Sequence, residues 1–279
     1  MEGPSLLILR EELEPFLGQT VLEATGNTTQ PKATLNGRRI DRIETWGKNL
    51  FLTFSASSAK APPVVTKTHF LMFGSYRINE VRPGRTPRLA LRFKNGIVYF
   101  YSCSIRFFAD EYLKALDPRV DLMSPEWDPT HVVQLMAPKR NSPLCDLLLD
   151  QTVFAGSGNI IKNEVLFNIR RHPLTRVSRL ARQDWLRLAQ AVHSYCWNFY
   201  EWKKKFELRK HWQVYRQRVC PLCARKLVRE PLGKDARLTF YCARHQPLYT
   251  QIRKLHVRAV LPIQPISTRP GLPEPRLDH

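Results

Sequence analysis

Apolar residues recur at helical spacing over residues 5–17, SLLILREELEPFL, with Pro4 at the start, where a proline costs least, and acids in the turns that follow. This predicts a short amphipathic leading helix. Over residues 20–108 the pattern changes to runs rich in β-branched and aromatic residues: RRIDRIETW, KNLFLTFS, PVVTKTHFLMFGSYRI, RLALRFKNG and IVYFYSCSIRFF. Turn signals such as Asn36-Gly37, Gly47-Lys48 and Asn95-Gly96 separate these runs. The reading is a β domain of two packed sheets. Strand patterning stops around Asp117-Pro118 and Ser124-Pro125. Helical patterns follow in THVVQLMAPKR, SPLCDLLLDQTVF, NIIKNEVLFNIRR and QDWLRLAQAVHSYCWNFYEWKKKFELR. Residues 212–250 return to strand-like text around a cysteine cluster, and the end of the chain, from about Pro262, is rich in proline and polar residues, as in a disordered tail. No internal repeat is seen.

The fold class expected is α+β in two domains. A β-sandwich with a leading helix occupies residues 1–122 and a helical domain 123–210; a finger follows at 211–250 and a basic, proline-containing tail at 251–279. Composition narrows the function. Lys plus Arg is 44 against 24 Asp plus Glu, a net charge of +20 on 279 residues, with a pI near 10.1. Such an excess points to a polyanionic partner: DNA, RNA or an anionic membrane surface. No run of eighteen apolar residues occurs, so no transmembrane helix is expected. The opening MEGPSLLILREELEPF carries acids where a signal peptide needs basic residues. Six cysteines, three of them near the C-terminus, do not make a secreted disulfide scaffold. An intracellular protein that binds nucleic acid is expected, in cytoplasm, nucleoid or nucleus.

Cys220-Pro-Leu-Cys223 and Cys242-Ala-Arg-His245 stand eighteen residues apart. Paired knuckles of this form place four ligands for one tetrahedral Zn²⁺. Four protein ligands leave no open position, so the ion is expected to be structural. The segment between the knuckles, with Pro231, Gly233 and Lys234 before Arg237-Leu-Thr-Phe-Tyr, reads as a β-hairpin. Upstream, Gly156-Ser157-Gly158-Asn159 reads as a tight turn into a helix. Asn159 either caps that helix or gives its amide to a phosphate at the helix N-terminus.

Together these motifs resemble the formamidopyrimidine-DNA glycosylase/endonuclease VIII family of base-excision repair enzymes. The residues carrying the resemblance are Glu2-Gly3-Pro4, Gly47-Lys48, LLLDQTVFAGSGNIIKNEVLF at 147–167, HWQVYRQRVCPLC at 211–223 and RLTFYCARHQ at 237–246. The resemblance implies an N-terminal β-sandwich and a helix–two-turns–helix domain ending in a zinc finger, with damaged DNA in the cleft between them and a monomeric enzyme. It assigns Glu2 as proton shuttle, Lys48 as the hairpin lysine near the lesion phosphate, and Asn159 and Arg237 as phosphate ligands. Within the family His69-Phe-Leu-Met-Phe-Gly74 is similar to the endonuclease VIII stretch that fills the hole left by a flipped nucleotide, which makes Leu71, Met72 and Phe73 the wedge, with Met72 at its tip. The last zinc ligand is His245 where the family has cysteine. The short connection between the long helix and the finger lacks a Gly-rich insertion, which favours oxidised pyrimidines over purines.

One departure bears on the chemistry. The family opens on a proline whose amine attacks C1′ of the damaged nucleotide, whereas this chain reads Met1-Glu2-Gly3-Pro4. The expectation is that the Met1 α-amine is the Schiff-base nucleophile of a glycosylase with AP-lyase activity, cutting by β- and δ-elimination. An α-amine near ~8 suits this step better than a lysine near ~10.4. The alternative is a catalytically impaired binder of damaged or abasic DNA; a zinc-containing RNA-binding or ribosome-associated protein would explain the charge and finger alone.

Overall fold

The computed structural model describes residues 1–56 and 61–248. The leading helix, α1 (Gly3–Leu13), is shorter at its C-terminal end than its apolar pattern. Pro15 has no N–H to continue the ladder, and a 3-10 turn at Glu14–Phe16 replaces the last stretch. Six antiparallel strands follow: β1 (Glu23–Thr25), β2 (Ile40–Trp46), β3 (Asn49–Phe54), β4 (Val64–Ile78), β5 (Leu89–Phe93) and β6 (Gly96–Phe108). Their order in the sheet is β1-β5-β6-β4-β3-β2. The two layers of the sandwich are joined through the long strands. β4 pairs with β6 at Val65–Phe70 and again at Ser75–Ile78, and between these stretches residues 71–74 stand opposite Ser102 alone. Ser102 takes φ 49° there, so both strands break register and continue into the second layer. Ile40, Ile43, Leu50 and Leu52 then share one core with Leu89, Leu91, Val98 and Phe100, closed by Leu6, Leu9 and Leu13 of α1.

After a single helical turn, α2 (Glu111–Lys114), come α3 (Pro129–Met136), α4 (Leu144–Leu147), α5 (Asn159–Asn168) and α6 (Arg182–Lys204). The expected helix over residues 142–154 is reduced to the one turn of α4. Two side chains turn the backbone instead: Asp150 accepts from the Thr152 N–H at 3.0 Å, and Gln151 donates to the Leu149 and Ser157 carbonyls at 2.8 and 3.1 Å. Ile8 of α1 packs into the helical core with Leu144, Val165, Leu188 and Val192, so α1 serves both domains. The finger hairpin, β7 (Val228–Leu232) and β8 (Arg237–Tyr241), has a small core of Phe167, Val214, Leu227 and Phe240. Among the described residues no helix is long and apolar enough to cross a membrane. The basic tail lies outside the described residues.

Candidate active site and nucleic-acid interface

The site is built at the N-terminus of α5. Its N-cap, Gly158, has no side chain to offer, and Asn159 does not cap the helix either. The cap comes from the other end of the chain. The Glu2 carboxylate accepts the Ile160 N–H at 2.7 Å and the Ile161 N–H at 3.2 Å. These are two of the orphan donors every helix start leaves, and they carry the positive end of its dipole. Glycine at 158 is required by close approach: a Cβ there would stand 2.6 Å from Glu2 Oε1 and collide with Cγ and Cδ. Glu2 is buried. Burial pushes its carboxyl above the usual carboxylate range, against the pull of the Ile160 N–H, Lys48 and the Ile161 N–H.

Lys48 reaches the same spot from the β2–β3 hairpin. Trp46 pairs with Asn49, so Gly47 and Lys48 form a two-residue loop, and Gly47 at φ 58° supplies the left-handed first position such a loop needs. Burial lowers the Lys48 ammonium's pKa, Glu2 opposes the shift, and the Arg237 cation adds to it. Asp121 steadies the loop from below, since its buried carboxylate accepts the Gly47 and Met123 N–H groups.

The Met1 amine lies in this group of charges. Burial lowers its pKa; Glu2 opposes, and Lys48 and Lys203 of α6 add to the lowering. The Met1 side chain packs against the sandwich core. Sequence reading passed over two residues here, His69 and Lys203. His69 pairs with Asn49 across β3 and β4, and its Nδ1 stands 3.2 Å from Asn49 Oδ1. Burial lowers its pKa, and the Met1 amine and Lys48 lower it further. Register opposite Asn49, one residue past Lys48, is the signal that could have placed it.

Asn159 and Arg237 come together through the finger. Asn159 Nδ2 donates to the Leu238 carbonyl at 2.9 Å, while its buried Oδ1 has no partner among the described residues. Three further polar residues of α5, each fully buried, hold the hairpin or the segment leading to it. Lys162 Nζ donates to Thr239 Oγ1 at 2.7 Å, Asn163 Oδ1 accepts the Phe240 N–H at 2.8 Å, and Glu164 accepts the N–H groups of Gln213, Val214 and Tyr215 at 2.7–3.0 Å. Asp146 of α4 accepts the Lys234 N–H at the hairpin turn. Arg237 is thereby held exposed at the start of β8, near enough to Lys48 and Lys162 to shift both.

The predicted ligands converge. One donor atom each from Cys220, Cys223, Cys242 and His245 lies within 4.8 Å of all the others. Cys223 Sγ to Cys242 Sγ is 3.7 Å, and His245 Nδ1 is 3.5 and 3.4 Å from the sulfurs of Cys220 and Cys242. A tetrahedron with Zn–S near ~2.3 Å and Zn–N near ~2.0 Å has edges of about 3.5–3.8 Å, so the four residues fit one ion. Leu71, Met72 and Phe73 fall in the unpaired stretch of β4. They are 52, 74 and 80% exposed, which takes them out of the core; Phe73 protrudes as far as Met72.

The chain matches the models of two families, the formamidopyrimidine-DNA glycosylase N-terminal domain over residues 2–109 and the formamidopyrimidine-DNA glycosylase H2TH domain over residues 120–197. Endonuclease 8-like 3 of Mus musculus is 30% identical over 235 residues, which are 80% of this chain and 38% of that protein. Endonuclease 8-like 2 of Bos taurus is 33% identical over 196 residues, 64% of this chain and 57% of that protein. The chain thus spans about 38% and 57% of these relatives' lengths. Among solved structures, a viral DNA glycosylase has a TM-score of 0.76 at 21% identity, covering 88% of this chain and all of that one. Lactococcus lactis formamido-pyrimidine DNA glycosylase, non-covalently bound to DNA containing an AP site, has a TM-score of 0.75 at 20% identity, covering 89% and 100%. These likenesses show the shared fold. With a capping carboxylate, a hairpin lysine and a metal-fitted finger meeting at one helix, the chain belongs to the formamidopyrimidine-DNA glycosylase/endonuclease VIII family, in its endonuclease VIII-like branch.

Proposed function

We propose that the chain is a DNA glycosylase with AP-lyase activity that removes oxidised bases, pyrimidines in preference, from damaged DNA. The observation that carries this reading is the meeting of the Met1 amine, the Glu2 carboxyl and Lys48 where the sandwich and the helical domain join. An amine whose pKa is lowered is neutral, hence nucleophilic, at a lower pH, and a carboxyl whose pKa is raised keeps a proton to give. With Met1 as the terminal residue, its nitrogen bonds to C1′ as the C1′–base bond breaks, and the departing base takes the Glu2 proton. Opening of the sugar ring moves a proton from nitrogen to O4′ and leaves a protonated Schiff base. Loss of a C2′ proton then expels the 3′ phosphate, and a second elimination expels the 5′ phosphate.

The other residues position the DNA. Lys48 and Arg237 bind phosphates at the lesion; the arginine fork suits two phosphate oxygens. Asn159 supports the hairpin through Leu238, and the second N–H of the same Nδ2 is its donor for a DNA phosphate. Leu71, Met72 and Phe73 fill the space of the extruded nucleotide. Cys220, Cys223, Cys242 and His245 would hold one zinc ion, which fixes the finger and so the reach of Arg237. The test is borohydride trapping on an abasic-site duplex, with intact-mass measurement of the N-terminus. A covalent adduct on the Met1 peptide is expected. DNA binding without an adduct would leave the binder, whose mark is a primary amine in the place of proline.

A further inference from the structure

α6 ends in a way that costs the fold something and returns no packing. The Glu207 N–H donates to the Trp202 carbonyl at 2.8 Å and the Phe206 N–H to the Lys203 carbonyl at 3.0 Å. This is the double-bonded helix stop whose left-handed residue is ordinarily glycine. Here that residue is Phe206, at φ 59°. A bulky side chain in this region is strained. No packing among the described residues repays it: Phe206 is 96% exposed. Cations flank it in the chain, Lys203 to Lys205 before it and Arg209 and Lys210 after it, with one acid, Glu207, among them. Lys204 and Lys210 are paired with Glu11 and Glu207, but Lys205 and Arg209 form no ion pair among the described residues. Lys203, whose carbonyl holds the Phe206 N–H, also adds to the lowering of the Met1 amine, so one residue of this helix end acts electrostatically on the proposed reaction centre.

We infer that Phe206 is a stacking platform for an unpaired nucleobase, with the adjoining phosphates taken by Lys205 and Arg209. An exposed ring among unpaired cations is the combination that binds unpaired nucleic acid, because every base has a face to stack and every nucleotide a charge to neutralise. The inference rests on the DNA reading above and adds a contact outside the residues that resemblance to the family assigns.

The test measures binding of the whole protein to three labelled DNAs: a single strand, a duplex with one bulged base, and a fully paired duplex. Phe206→Ala should weaken binding to DNA with an unpaired base by roughly 5- to 150-fold and leave the paired duplex unchanged. Loss on the single strand alone identifies a base from a flanking strand, and loss on the bulge alone an extruded base; either supports the platform. Phe206→Trp should retain binding. Phe206→Gly should lose it while raising Tm, because relief of the left-handed strain stabilises the fold, an outcome that a structural role for the ring forbids. Equal affinity of Phe206→Ala for all three DNAs relative to the parent, or an equal loss on all three, overturns the inference. So does loss of binding to phosphatidylserine vesicles with DNA binding intact. If the parent protein binds no DNA at all, the DNA reading itself has failed.

Discussion

Gly158→Ala places one methyl group against the carboxylate on which the proposed chemistry depends. Gly158 has φ −134° and ψ −163°, an extended conformation open to alanine, so the backbone itself raises no objection. The obstacle is Glu2, whose Oε1 would stand 2.6 Å from the new carbon. Ordinary contact needs about 1 Å more, and Glu2 can gain it only by withdrawing from the Ile160 and Ile161 N–H groups. Overpacking of this kind costs about 1–3 kcal/mol, and loosening hydrogen bonds to a charged group costs a similar amount. A loss near 2–3 kcal/mol should lower Tm by about 5–10 °C. A misplacement of ~1 Å costs about 100-fold in rate. Single-turnover nicking of an abasic-site duplex should therefore fall about 100-fold, with thermal denaturation reporting the stability. The decisive comparison is the same substitution in a Glu2→Ala background, where the methyl meets empty space and should cost under ~0.5 kcal/mol. An unaltered nicking rate in Gly158→Ala, or an equal stability loss in both backgrounds, would refute the reasoning.

Three more outcomes follow from the same geometry. Because burial lowers the Met1 amine and only the neutral form attacks, borohydride trapping should rise with pH around a midpoint below the ordinary α-amine value of about 8; a midpoint at or above 8 contradicts it. Burial raises Asp121 to about 6 from an ordinary 3.8. Its contribution to stability is thus complete below 3.8 and is lost as pH rises through 6, so Asp121→Asn, which keeps an acceptor for Gly47, should flatten the fall in Tm between pH 4 and 6.5; parallel curves would exclude the group. Removing metal with a chelator, or by Cys242→Ala, should take bound zinc from one ion to none and cut affinity for abasic DNA at least about 10-fold, read by metal analysis and titration. Unchanged affinity in the metal-free protein would separate the finger from DNA binding.

Local chemistry was the legible part. Gly47-Lys48 marked its hairpin because a two-residue loop needs a left-handed first position, and the two knuckles marked the finger because metal geometry fixes ligand spacing. The exposed 71–73 run was separated from the core only through resemblance; apolar residues continuing a strand carry no sign that four of them stand opposite one residue of the partner strand. The contacts between distant parts were hidden. Asn159 was readable as the cap of α5 or as a phosphate ligand, and the cap is instead Glu2, 158 positions before the Ile160 N–H it accepts. The polar run Lys162, Asn163 and Glu164 carries no local sign of a partner in the sequence, whereas the finger and the segment leading to it cover it and use all three. The stretch after α4 had a helix's apolar spacing, but Asp150 and Gln151 offered the backbone closer partners.

α5 thus carries two cargoes on ten residues. Its first turn receives the Glu2 carboxylate from the front of the polypeptide, and its outward side bears the hairpin that carries Arg237. The proposed proton donor and the proposed DNA clamp consequently share a single mount. A tilt of that mount would shift both together and preserve their spacing, while Met1 and Lys48, carried by the sandwich, would keep their own place.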